Sequence, residues 1–112
     1  MAGAGVAVKR EKIAVSEDRA SHVAEVLKAV AHPLRIRLVA ILCQREEHVN
    51  GLAEALGVPQ AIVSQQLRIL RMHNLVAATR ENGFARYRLI EPHLKDLVCC
   101  MEKCGGPVSQ GA

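Results

Sequence analysis

Three cysteines stand close together near the end of the chain: Cys99, Cys100 and Cys104. On an α-helix they project at about 0°, 100° and 140°, so the three thiols fall on one side. Thiolates are soft donors that select soft, thiophilic ions. Three sulfurs without a fourth donor suit a pyramidal trivalent metalloid, As(III) or Sb(III), better than tetrahedral zinc. The ordinary alternative is that small thiols pack an interface, because free cysteine is among the most buried residue types. That alternative is sound for any one of them and weaker for three within six positions. Cys43 stands in Ile-Leu-Cys-Gln among core-type residues and reads first as packing.

A second set of residues could do different chemistry. Gln60, Ser64, Gln65, Arg68 and Arg71 lie on the polar side of one helical period, and Arg80, Arg86 and Arg88 surround an Asn82-Gly83 dipeptide. Glutamine and serine can donate to and accept from base edges in the major groove, and arginine can reach a phosphate or a guanine. Each group alone also fits a solvated surface. Their order along the chain changes that reading.

The elements that must position these residues follow from periodicity. Residues 1–15 are rich in Gly and Ala, then charged, and are expected to form a flexible arm. Ser16 can cap a first helix with Glu17 and Asp18 in its first turn and Val23, Val26, Leu27 and Val30 on one stripe, ending at His32-Pro33. A second helix from Pro33 to about Glu46 places Leu34, Leu38, Ile41 and Leu42 on a common face. Asn50 to Gly57 reads as a short helix capped by Asn50 and stopped by the glycine. The next helix runs from about Pro59 to His73, with Val63, Leu67 and Leu70 inward, Ile62 and Ile69 beside them, and Asn74 as its C-cap. Leu75–Arg80 and Phe84–Ile90 form a hairpin, for which Asn-Gly is the strongest short-range signal. A last helix carries Leu94, Leu97, Val98 and Met101 to Cys104, and 105–112 is a flexible tail. The expected fold is mainly α with a small β-hairpin: about five helices and a two-stranded wing, spanning 16–104. A short helix, a glycine turn, a polar-faced helix and a hairpin, in that order, are the parts of a winged helix-turn-helix.

Composition bounds the function. The 112 residues make one domain, and with aromatics at 2% the core must come from Leu, Val, Ile and Ala. So thin a core leaves the apolar stripes of the first and last helices to be covered by a second copy. Fifteen Lys and Arg against 11 Asp and Glu give a net charge of +4, which favours an anionic partner. The start has only a short apolar stretch before Lys9, Arg10, Glu11 and Lys12, unlike a signal peptide, and no run approaches the roughly 18 residues of a membrane span. A cytoplasmic protein with reduced thiols is expected, without membrane association. No Gly-rich phosphate loop, triad-like motif or Cys-x-x-Cys beside a βαβ unit argues for an enzyme.

The string from Leu27 to Leu38 (LKAVAHPLRIRL), then Leu52-Ala-Glu-Ala-Leu-Gly57, then Val63-Ser-Gln-Gln-Leu-Arg-Ile-Leu-Arg71, with Gly83 and Tyr87 in the hairpin, resembles the ArsR/SmtB repressors over about residues 20–104. The resemblance implies a homodimer joined through its first and last helices. It also implies occupation of an inverted-repeat operator in double-stranded DNA, and release when a metal, metalloid or thiol-reactive species binds. Members differ in the inducer site. An arsenic-sensing version has Cys-x-Cys near the third helix, where this chain has His48-Val49-Asn50; His48 reads as a lone surface histidine. A zinc-sensing version uses positions that read Glu91, His93, Cys104 and Pro107 here, so half of its pattern survives. A few members place three cysteines in the last helix for a metalloid, as Cys99, Cys100 and Cys104 do. Another subgroup senses reactive sulfur by linking a cysteine of the second helix to one of the last, which would pair Cys43 with Cys100 or Cys104 and gives Cys43 a redox role. His22, His32, His73 and His93 read as scattered, His32 at a helix end and the rest at surface or interface.

Overall fold

The computed structural model describes residues 11–102. Its elements are α1 (Glu17–Val30), α2 (Pro33–Gln44), β1 (Glu47–His48), α3 (Val49–Leu56), α4 (Gln60–Met72), β2 (Val76–Glu81), β3 (Phe84–Leu89) and α5 (Leu94–Met101). Residues 11–15, the described part of the expected arm, have no regular structure. Cys104 and the expected tail lie outside the described residues.

The helix ends follow local chemistry. Ser16 Oγ accepts from the Arg19 N–H at 3.1 Å, satisfying one orphan donor of α1. His32 Nδ1 accepts from the Leu34 N–H and so caps α2, with Pro33 at its first position. Arg35 reaches back to donate to the Ala29 carbonyl at 2.8 Å, closing the C-terminus of α1. α3 stops at Gly57 (φ 67°), where Val58 N–H bonds Ala53 C=O. Asn74 (φ 59°) does the same work after α4, with Leu75 N–H bonding Leu70 C=O.

Two expectations are corrected. Asn50 does not cap α3: the helix begins at Val49 with His48 in the cap position, two residues before the expected cap. The reason is the second correction: α2 ends at Gln44, the chain extends through Arg45, and Glu47–His48 pairs antiparallel with β3. The wing is therefore a three-stranded sheet of order β1-β3-β2. At its tip Asn82 (φ 49°) and Gly83 (φ 84°) both take positive φ, the type I′ geometry that matches strand twist.

One core holds these parts. Leu38 from α2, Leu52 from α3, Val63, Leu67 and Leu70 from α4, Val76 from β2 and Leu94 from α5 are each no more than 1% exposed. Each fully buried leucine contributes about 1.5–3 kcal/mol, so the packing sets α4 rigidly against the rest.

Candidate functional site

With Val63, Leu67 and Leu70 buried, the helical period turns Gln60, Ser64, Gln65, Arg68 and Arg71 outward, and all five are exposed. Ile62 joins them: expected beside the core, it is 39% exposed on α4. An exposed aliphatic residue among amides and arginines offers an apolar contact of the kind that meets a thymine methyl.

The wing divides its arginines between two faces. Strand register pairs Thr79 with Arg86 and Ala77 with Arg88 on one face, while Arg80 pairs with Ala85 on the other. Arg80 is exposed and, among the described residues, reaches only the Gly83 carbonyl, at 3.4 Å. Arg88 donates to Thr79 Oγ1 at 2.8 Å, and Arg86 Nε donates to Glu81 Oε1 at 3.1 Å. The sequence brings these three together around the turn; the structure leaves Arg80 the least engaged.

His48 is not a lone loop residue. Its Nδ1 lies 3.8 Å from Glu47 Oε1 and its Nε2 3.9 Å from Glu81 Oε1, and its ring meets Phe84 edge to face at 6.2 Å. Glu47 Oε1 also accepts from the His48 backbone N–H at 2.9 Å, and Glu47 Oε2 accepts from Arg45 Nε at 3.3 Å. The His48 N–H, with Arg45 adding to it and burial opposing, holds the Glu47 carboxyl below the usual carboxylate range. Gly51 makes room for that carboxylate, because a Cβ there would collide with it. Spacing gives no hint of this group, since the β1–β3 pairing that assembles it spans two helices.

The thiols lie at the other end of the molecule's function. Cys99 and Cys100 are both exposed on α5, and Cys104 lies outside the described residues. Cys43, near the end of α2, is half-buried; burial pushes its thiol pKa up, against the pull of the Lys95 ammonium. Lys95 and Cys99 are one helical turn apart on α5, so Cys99 extends the row that Lys95 begins near Cys43.

Between α1 and α5 runs a groove of about 600 Å³ floored by Val23, Val26, Leu27, Leu94 and Leu97. Val23 and Leu27 are 40% and 44% exposed. At its edge Glu91 lies 3.8 Å from His22 and 3.5 Å from His93. Glu91 and His93 are thus neighbours, as the zinc-type pattern requires, but among the described residues no three His, Cys, Asp or Glu side chains are arranged to hold a metal ion. No helix among them is long and apolar enough to cross a membrane.

Comparison with known proteins agrees with this geometry. The family model described as "Bacterial regulatory protein, arsR family" matches residues 32–78. The biofilm growth-associated repressor of Xylella fastidiosa (strain 9a5c) is 37% identical over 94 residues, covering 78% of this chain and 82% of that protein. The crystal structure of the transcriptional repressor BigR from Xylella fastidiosa matches with a TM-score of 0.76 and 35% identity, over 82% of this chain and 94% of that one. The AntR antimony-specific transcriptional repressor matches with a TM-score of 0.72 and 25% identity, over 87% and 95% of the two chains.

Proposed function

From the premise that this chain belongs to the arsR family of bacterial regulatory proteins, whose repressors bind DNA as homodimers and are not enzymes, we propose that it is a metalloid-responsive repressor. As(III) or Sb(III) bound by Cys99, Cys100 and Cys104 releases it from an inverted-repeat operator. The observation that carries this reading is the pair of exposed thiols on α5, with a third cysteine four positions beyond the second. An antimony-specific repressor of the same fold supports the choice of ion.

In this reading α4 enters the major groove with Gln60, Ser64, Gln65, Arg68 and Arg71 toward the bases and flanking phosphates, and Arg80 and Arg88 of the wing grip the backbone. A second copy covers the groove between α1 and α5, presenting two α4 helices to half-sites about one helical turn apart. Cys99, Cys100 and Cys104 would hold the metalloid through three thiolate sulfurs, which would draw the end of α5 together. Because α5 lines the dimer groove, that distortion changes the angle between the two α4 helices and lowers DNA affinity. Coupling is reciprocal, so operator DNA weakens metalloid binding by the same factor, on the order of 5 to 150-fold.

Titrating As(III) or Sb(III) into the protein on its own promoter fragment tests the proposal. One equivalent per protomer should release the DNA, and a Cys99, Cys100, Cys104 triple-Ser variant should stay bound. Full release of that variant sinks the metalloid site. A reactive-sulfur sensor is the second reading, favoured by the packing of α2 against α5 and the closeness of Cys43 to Lys95. The pair such a sensor would link is Cys43 with Cys100 or Cys104. Loss of a persulfide response in Cys43→Ser, with no response to As(III) in the parent protein, would select it. Zinc sensing through Glu91 and His93 is the third and least supported, lacking a complete ligand set among the described residues.

A further inference from the structure

Resting on the DNA-binding reading above, we infer that Arg86, Glu81 and His48 form a strut that sets the angle of the wing, and that Arg86 is a positioning residue rather than a phosphate contact. Three observations carry this. First, β1 is both the third strand of the wing and the lead-in to α3: His48 pairs with Arg86 across the β1–β3 ladder while occupying the cap position of α3. The wing therefore cannot swing without moving the start of the helix-turn-helix.

Second, a run of close side-chain contacts crosses the wing. Arg45, Glu47, His48, Glu81 and Arg86 follow one another at 3.3, 3.8, 3.9 and 3.1 Å. The chain ties the end of α2 to both long strands of the wing. Third, Arg86 is half-buried, and its Nε is already used by Glu81. A phosphate approaching the remaining N–H groups of Arg86 would sit beside the Glu81 carboxylate, whose negative charge opposes it. Arg80, on the opposite face and without a carboxylate partner within ion-pair distance among the described residues, meets no such obstacle.

Salt dependence separates the two roles. Each phosphate neutralised by a protein cation adds about 0.9 to the slope of log K against log salt, whereas a residue acting through geometry changes affinity and leaves the slope alone. Operator affinity is measured from 50 to 200 mM salt for the full chain and for Arg80→Ala, Arg86→Ala, Glu81→Gln and the Glu81→Gln, Arg86→Ala double variant, with thermal midpoints alongside. Arg80→Ala should lower the slope by about 0.9. Arg86→Ala should lower affinity several-fold at unchanged slope and unchanged thermal midpoint, and the double variant should be no weaker than Arg86→Ala. His48→Ala should give a loss of the same kind. A slope reduced by about 0.9 in Arg86→Ala, or losses from Glu81→Gln and Arg86→Ala that multiply, overturns the strut. If the parent protein shows no salt-dependent duplex binding at all, the repressor reading itself fails, which is a different result from slope-changing Arg86 variants.

Discussion

Cys43 and the pair on α5 have the same side-chain chemistry and different surroundings. Cys99 and Cys100 are exposed, whereas Cys43 is half-buried with its pKa pushed up. Only the thiolate is nucleophilic, so at neutral pH iodoacetamide should modify Cys99 and Cys100 well before Cys43. The rate at Cys43 should then climb as the pH is raised into the alkaline range, where its thiolate finally populates. Site-resolved mass spectrometry of a timed reaction checks this; Cys43 labelled first at neutral pH would contradict the burial described. The same difference bears on reactive sulfur: an exposed α5 thiolate would attack a persulfide donor first and become a persulfide, and Cys43 would act second, attacking that cysteine's own sulfur to close the disulfide and expel hydrosulfide.

The elements of the recognition module depend on a few backbone positions. Gly57 takes φ 67° between α3 and α4, and a Cβ there would meet nothing within 4 Å. A substitution by alanine therefore carries only the left-handed backbone cost, about 1–2 kcal/mol. For a domain of this size that lowers the thermal midpoint by roughly 4–8 °C per kcal/mol, measurable by circular dichroism; an unchanged midpoint would show that the turn tolerates a side chain. Gly57, Asn74 and Asn82-Gly83 were legible in the sequence because each residue type has a direct backbone reason to be where it is. β1 was not. A two-residue strand has no period to read, and its partner lies beyond two intervening helices, so spacing alone puts the cap of α3 two residues late and leaves His48 without a role. The exposure of Ile62 was missed for a related reason: it sits at the boundary of the apolar stripe of α4, where tertiary contacts decide the side it falls on.

At the scale of the molecule, the groove between α1 and α5 is an apolar face lined by Val23, Val26, Leu27, Leu94 and Leu97. The apolar stripes of both helices were readable from spacing, and Val23 and Leu27 remain substantially exposed in the single chain. A charge placed there should oppose pairing of two copies: Leu27→Glu is expected to shift the protein toward monomer in sedimentation and to lower operator affinity by far more than its distance from α4 would suggest. A dimer of unchanged stability in that variant would move the interface elsewhere.

The pairing of β1 with β3 also bears on how the chain comes together. Glu47 and Tyr87 are forty positions apart in sequence yet adjacent in the sheet, and closing a loop that long costs entropy before any strand contact offsets it. The β2–β3 hairpin can form from its own turn, whereas its attachment to β1 carries the entropy of closing the whole interval. Folding of α3 and α4 shortens that interval, so the anchoring of the wing and the folding of the helix-turn-helix favour one another.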